Sequence, residues 1–359
     1  MKISEKINAL KKRFYHMFSS DVGIDLGTAN TLVYVRGSGV VVNEPSVVAV
    51  NQKTGRIVAI GKDAEQMLGR TPAHITAVRP LVGGVISDFE ITEEMLAYLL
   101  NKVRRITKKA VRPRVLVGVP SGVTNVQIRA VRDAAKSAGA REVHIIEEPM
   151  AAAIGIRMPV KEPVGSMVID IGGGTTDIAV ISLGGIVYAK SLSVAGNKLN
   201  ADIISYIRDE FKILIGERTA EAIKVSIGTV AGGTEGESSV KGRDLVTGLP
   251  REVIITASDI REAIAPSVAA LVEAAKEVLE GTPPEILSDI MRRGIVLAGG
   301  GALISGLPET LGEELNIPIH IAQEPLIAVV RGTGIVLERF DHFKDVLIEN
   351  EDELPPKSQ

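Results

Sequence analysis

Apolar positions along this chain follow two periods. Ile3, Ile7, Leu10, Phe14 and Phe18 recur at helical spacing, with lysines elsewhere on the wheel. They predict a helix over 1–18 that stops at Ser19-Ser20-Asp21. Short apolar runs then predict strands at 22–26, 31–36 and 40–50, a meander with Gly37 and Gly39 in one turn. Residues 51–90 are mixed and rich in turn formers, as in a small inserted subdomain. A helix is expected at 92–106 after Thr92, with Glu93 and Glu94 well placed in its first turn. Arg114 to Val119 reads as a buried strand, 124–138 as a helix and Val143 to Ile146 as the next strand. Pro149 suits the first position of a helix reaching about 157. Pro159 to Pro163 resembles an interdomain connection.

The second half repeats the plan. Strands are expected at 167–171, 177–183 and 186–194, and helices at about 199–214 and 218–227. Residues 228–258 read as a strand-containing insertion with a polar turn at Gly232 to Ser239. A helix at about 259–280, a strand at 294–298, Gly299-Gly300-Gly301 and a helix at 306–315 follow. Pro325 to Leu337 reads as a last helix, interrupted by Gly332 and Gly334. Residues 345–359 are acidic and contain proline, the pattern of a disordered tail. Meanders followed by strand–helix alternation give an α/β fold in each half, with a cleft between the halves.

The two copies are marked by alike hairpins. Val22-Gly23-Ile24-Asp25-Leu26-Gly27-Thr28-Ala29-Asn30 and Met167-Val168-Ile169-Asp170-Ile171-Gly172-Gly173-Gly174-Thr175-Thr176 lie 145 residues apart, counted from Asp25 to Asp170. Each is an apolar strand that ends in Asp and then turns through small residues. Glycine lets backbone N–H groups face an anion without a Cβ in the way. A carboxylate at the strand end reaches a metal ion beside phosphates, and Mg2+ keeps most of its waters there. Asp25 and Asp170 are therefore the candidate metal residues. Gly27, Thr28, Ala29 and Asn30 on one side, and Gly172 to Thr176 on the other, are the candidate phosphate donors. Asp177 reads either as a residue that steers water or metal, or as a strand-edge turn residue.

Glu148 follows a buried strand and opens a helix, which aims it out of the sheet, so it is the candidate for positioning an attacking water. Glu147 fits the same role from sequence, and either could simply face the helix dipole. Gly299, Gly300 and Gly301 sit between strand and helix, where a base or ribose can approach the backbone; a plain turn fits as well.

Composition narrows the class. The chain has 359 residues, 45% apolar and only 3% aromatic, so its cores rest on Val, Ile, Leu and Ala. It has no cysteine, which excludes disulfides, thiolate metal sites and a Cys nucleophile. A net charge of −3 speaks against a nucleic-acid partner. No apolar run reaches the ~20 residues that span a bilayer. Residues 1–20 carry Lys2, Lys6, Lys11, Lys12 and Arg13 against Glu5, and so form a separate basic module.

With these hairpins, Glu148-Pro149 and Ala298-Gly299-Gly300-Gly301, the chain resembles the superfamily of actin, sugar kinases and heat-shock chaperone ATPases over residues 21 to about 340. Ile24 to Leu32, Asn43-Glu44-Pro45-Ser46, Arg79-Pro80-Leu81, Glu147 to Gly155 and Gly216-Glu217-Arg218-Thr219-Ala220-Glu221 resemble more closely the MreB family of bacterial actin homologues. The resemblance implies an actin-like duplicated fold: two lobes, each a mixed sheet flanked by helices, with a nucleotide cleft between them. Domain I would take 21–160 and 325–344, with an insertion at about 51–90. Domain II would take 161–324, with an insertion at about 196–258. It implies ATP with Mg2+, slow hydrolysis, and polymerisation with itself into double filaments. The filaments would lie on the inner face of the cytoplasmic membrane and guide the cell-wall elongation machinery. By position, Gly196, Asn197, Lys198, Glu217, Glu221, Lys224 and Gly299 to Ala302 fall where the family contacts ribose and adenine. Actin carries a phosphate-binding lysine shortly after its first Asp; here Leu32 stands there and the next lysine is Lys53.

The helix 1–18 either docks on the protein's own core or anchors the chain at a membrane, where Ile3, Ile7, Leu10, Phe14 and Phe18 enter the acyl boundary and the lysines meet anionic headgroups. Lys102, Arg104, Arg105, Lys108, Lys109, Arg112 and Arg114 form a second basic run, read as a solvated face or as a second membrane element. A small-molecule kinase on the same fold is the alternative function; it needs a base at an acceptor hydroxyl, and the sequence offers no distinct candidate. A chaperone ATPase would need a client domain after residue 340.

Overall fold

The computed structural model describes residues 20–109, 111–233 and 235–348. The expected helix over 1–18, with Ile3, Ile7, Leu10, Phe14 and Phe18, and residues 349–359 of the expected tail lie outside them. The chain forms two compact units. One runs to Arg157 and resumes at Val329; the other is Met158–Ala328.

The first unit is built on strands β1 (Val22–Leu26), β2 (Asn30–Val35), β3 (Gly39–Pro45), β9 (Arg114–Val119) and β10 (Glu142–Glu147), in the order β10-β9-β1-β2-β3. β1 runs antiparallel to β2 and parallel to β9. Val22, Ile24, Val115, Val117 and Ile145 are buried with Met95, Leu96 and Leu99 of the helix Phe89–Thr107. The run 40–50, expected as one strand, forms parts of two. β3 ends at Pro45, and β4 (Val48–Asn51) joins a second sheet with β5 (Ile57–Ile60) and β6 (Ile75–Val78), in the order β5-β4-β6. A continuous apolar run does not reveal that its two ends pair in different sheets. β7 (Leu81–Val82) and β8 (Val85–Ile86) form a short hairpin.

The helix expected to start after Thr92 begins at Phe89. Asp88 caps it, accepting from Ile91 N at 3.0 Å, and Thr92 is buried inside with its hydroxyl on Asp88 O. The helix at Pro149 likewise begins one residue early, at Glu148. Gly332 and Gly334 do not interrupt the last long helix, which is continuous over Ala328–Glu338. They let it pack closely. A Cβ on Gly332 would overlap the Ala151 carbonyl, and one on Gly334 would lie 2.6 Å from the Tyr34 ring. Residues 345–348 are not a free tail. Val346 and Leu347 are buried, Ile348 N donates to Ile145 O at 3.0 Å, and Arg132 donates to Ile348 O. Within the basic run, Lys102 pairs with buried Glu44, and Arg114 pairs with Asp21 while lying 4.2 Å over the Phe340 ring.

The second unit repeats the plan with β11 (Ser166–Ile171), β12 (Thr176–Ser182), β13 (Gly185–Leu192), β17 (Ile295–Ala298) and β18 (Ile319–Ile321), ordered β13-β12-β11-β17-β18. β11 is antiparallel to β12 and parallel to β17, as β1 is to β2 and β9. β14 (Ile213–Leu214), β15 (Glu237–Asp244) and β16 (Pro250–Thr256) make a small sheet. Helix Ala257–Glu280 starts at a capping box of Thr256 and Asp259. Helix Gly196–Phe211 starts three residues earlier than expected. Helix Pro284–Arg293 and β18 were not foreseen: the first opens on a Pro-Pro pair that reads as loop, and the second is only three residues long. Among the described residues no helix is long and apolar enough to cross a membrane.

Gly332→Ala is expected to destabilise the protein by about 2 kcal/mol or more, because the clash is with backbone that must move. Gly232→Ala, where a Cβ meets nothing within 4 Å, should stay within ~0.5 kcal/mol. Chemical denaturation of both variants decides it; equal midpoints would refute the packing role of Gly332.

Candidate functional site

In each unit the acidic residue stands at the end of the sheet's middle strand. Asp25 lies opposite Leu32 of β2 and Gly118 of β9. Asp170 lies opposite Asp177 of β12 and Ala298 of β17. The register is the same, so Leu32 and Asp177 hold equivalent places. Asp170 and Asp177 are both buried, while Asp25 keeps a partly exposed edge. Desolvation by the surrounding sheet pushes the Asp25 carboxyl up to about 7.

The first hairpin is held from behind. Ser46, the residue after β3, is fully buried; its hydroxyl donates to Gly27 O at 2.6 Å and lies 2.8 Å from Thr31 Oγ1, and its N–H donates to Ala29 O at 2.8 Å. Thr28 Oγ1 accepts from Gly84 N at 2.9 Å, which ties the turn to the β7–β8 hairpin. A Cβ on Gly27 would lie 2.6 Å from Asn30 O. Glu148 is buried at the first turn of its helix. It approaches β9 where Gly118 lacks a side chain: a Cβ there would lie 3.3 Å from Glu148 Cγ. Asp25, Gly27 to Asn30, Gly118 and Glu148 therefore gather at one end of the first sheet. Glu147 occupies the N-cap position, one residue before the helix, and its side chain makes no capping hydrogen bond.

The second hairpin is held in a similar way. Gly196 N donates to Gly172 O at 3.1 Å and Asn197 N to Gly173 O at 2.8 Å, while Gly172 N donates to Thr175 O. Thr176 Oγ1 donates to Val194 O. Glu217, Glu221 and Lys224 share one face of the helix Glu217–Ile227. Lys224 Nζ donates to Gly196 O and pairs with Glu221, which also accepts from buried Asn200. Gly299 has φ 76° and packs against Ile171 O and the Asp170 carboxylate, where a Cβ would not fit. Gly301 packs against the Ile171 side chain, and Gly300 lies beside Leu326. Asp170, Gly172 to Thr176, Gly196, Asn197, Glu221, Lys224 and Gly299 to Ala302 thus converge in the second unit. Ser46, Gly118 and Asn200 were not singled out by role in the sequence. Ser46 was visible only as the end of Asn43-Glu44-Pro45-Ser46.

The donor set fits a hydrated Mg2+. Among the described residues no three His, Cys, Asp or Glu side chains gather as a metal cage. Mg2+ instead uses one or two carboxylates with waters and phosphate oxygens. Asp170 and Asp177 are both buried and stand opposite each other in the β11–β12 ladder.

Two sheets of one plan, each with an acidic strand end and a pinned small-residue turn at the same register, define an actin-like protein. The crystal structure of MreB5 of Spiroplasma citri bound to ADP is 41% identical with a TM-score of 0.86, covering 90% of this chain and 97% of that one. Its AMPPNP-bound form matches with a TM-score of 0.85. The family model for MreB/Mbl protein matches residues 19–345, and the chain belongs to this family. The cell shape-determining protein Mbl of Bacillus cereus is 50% identical over 328 residues, 91% of this chain and 98% of that protein. The cell shape-determining protein MreB of Escherichia coli K12 is 50% identical over 344 residues, 94% and 99% of the two.

The raised Asp25 carboxyl has a pH signature. Its folded form holds a proton more tightly than the unfolded chain, whose Asp titrates near 3.8. Its contribution therefore favours the fold below about pH 4 and is lost as pH rises through about 7. Without divalent cation or nucleotide, Asp25→Asn is expected to melt increasingly above the parent between about pH 5 and 8. Thermal melts in chelator read this; a gap that does not change with pH would refute it.

Proposed function

We propose that this chain is a cytoskeletal ATPase of the MreB/Mbl family that binds ATP with Mg2+ through its two acidic hairpins. It hydrolyses the nucleotide slowly and assembles with itself into double filaments. The observation that carries the reading is the duplication itself: Asp25 and Asp170 at one register, each beside a turn whose carbonyls are tied back by hydrogen bonds. Relatives bound to ADP and AMPPNP support the choice of nucleotide. Asp25 and Asp170 hold the hydrated metal, and Mg2+ supplies charge neutralisation for the phosphates. Thr28, Ala29 and Asn30 on one hairpin, and Gly173 to Thr176 on the other, donate backbone N–H groups. Gly196, Asn197, Glu217, Glu221, Lys224 and Gly299 to Ala302 face the nucleoside. With Leu32 rather than a lysine opposite Asp25, charge on the phosphates is met by the metal and by amides.

Glu148 orients the attacking water. It is fixed by its helix start and by the space above Gly118, and phosphoryl transfer asks mainly for positioning and charge stabilisation. The filament lies on the inner face of the cell membrane, held by the amphipathic residues 1–18, and organises cell-wall synthesis. One such segment binds weakly, and a polymer that repeats it binds strongly.

Glu148→Ala is expected to retain ATP affinity and to lose at least tenfold in turnover, about 1.4 kcal/mol of barrier. Phosphate release together with nucleotide titration reads both; unchanged turnover removes Glu148 from its role. Deleting residues 1–18 is expected to abolish co-sedimentation with anionic vesicles while ATP-dependent pelleting without lipid persists. Undiminished vesicle binding by the truncated chain would refute the anchor.

A further inference from the structure

We propose that Ser46 is a positioning residue that sets the direction of the phosphate-binding amides in the first hairpin; this rests on reading that hairpin as a phosphate site. The hydroxyl of Ser46 donates to Gly27 O, so the Thr31 hydroxyl at 2.8 Å donates to Ser46. A directed chain runs from Thr31 through Ser46 to the Gly27 carbonyl, and each bond in such a chain polarises the next. Ser46 N–H holds the Ala29 carbonyl as well. One residue thus fixes two peptide planes.

In a planar trans peptide the C=O and the following N–H point in opposite directions. None of the described peptide bonds is cis. With the carbonyls of Gly27 and Ala29 held toward Ser46, the N–H groups of Thr28 and Asn30 aim to the other side. Two donors turned the same way make an anion-binding concavity. The second unit applies the same device at the equivalent place. The segment after its third strand pins Gly172 O and Gly173 O through Gly196 N and Asn197 N, which turns the N–H groups of Gly173 and Gly174 outward. There two backbone amides do the pinning. In the first unit one amide and one hydroxyl do it, so half of the anchoring rests on a side chain that substitution can remove. Ser46 and Thr31 are fully buried, and no solvent replaces the lost hydroxyl.

The full-length protein labelled with 15N-threonine provides the test, since Thr28 reports the first hairpin and Thr175 the second in one spectrum. In the parent, held below the concentration at which it assembles, Mg·ATP is expected to shift both amides. In Ser46→Ala the Thr175 shift is expected to remain while the Thr28 shift falls away, with ATP binding weakened about fivefold to tenfold. Ser46→Thr, which keeps the hydroxyl, should restore both. Should Ser46→Ala fail to fold, Thr31→Val removes only the upstream donor and is expected to weaken binding about twofold to threefold, again through Thr28 alone. Parent-like affinity and a parent-like Thr28 shift in the alanine variant overturn the proposal. So does equal loss at both threonines in a folded variant, which marks general damage. A parent that shifts neither amide with ATP overturns the nucleotide function itself, and the proposal with it.

Discussion

A carboxylate at the end of a buried strand is costly to keep ionised, and the rest of this structure is arranged around two of them. Asp25 and Asp170 stand at the ends of the middle strands of apolar sheets, and at Asp25 desolvation opposes the charge. Hydration of a charge lost on burial is repaid only by a counter-charge or by well-placed donors. Each strand turns at once through small residues, Gly27 to Asn30 in one unit and Gly172 to Thr175 in the other. The glycine at 299 follows from the same need: the Asp170 carboxylate occupies the place of its absent side chain. In the first unit Glu148 packs beside Gly118, where a Cβ would lie 3.3 Å from its Cγ.

The two halves keep one topology while differing in how the turn is fastened. In the second, the start of the helix Gly196–Phe211 supplies amides from the backbone. In the first, the chain leaves β3 for another sheet and passes Ser46 on the way, so a side chain must complete the fastening. The break at Pro45 and the anchoring of Gly27 are consequences of one event, the departure of the chain from the main sheet. The pairing opposite the acids differs too. Leu32 is apolar where Asp177 is acidic, which concentrates negative charge in the second half.

Much of this was legible in the chain because duplication shows twice. The spacing of Asp25 and Asp170, the apolar strands before them and the small residues after them place both hairpins without coordinates. Strand pairing across sheets was not legible. The apolar run 40–50 looks continuous, and only its partners reveal that it serves two sheets. Glycines misled in the last helix, where Gly332 and Gly334 permit contact with Ala151 and Tyr34 instead of ending the helix. Val346, Leu347 and Ile348 were masked by the acidic residues around them, yet Val346 and Leu347 are buried and Ile348 bonds to Ile145 of β10. The expected nucleoside residues lie far apart in sequence, and it is folding that brings Glu221 and Lys224 beside Gly196.

Hydrogen bonds from behind the turn explain why its residues need so little chemistry of their own. Gly27, Ala29, Gly172 and Gly173 carry no functional side chains, and what they present is decided by where their carbonyls are tied. A peptide plane held on one side is oriented on the other, at no further entropic cost when an anion arrives. Preorganised amides of this kind suit phosphoryl transfer, in which the protein positions charge and does little covalent work. The direction of the turn's amides is consequently set by the residues that hold its carbonyls, and a reading restricted to the turn itself passes over them.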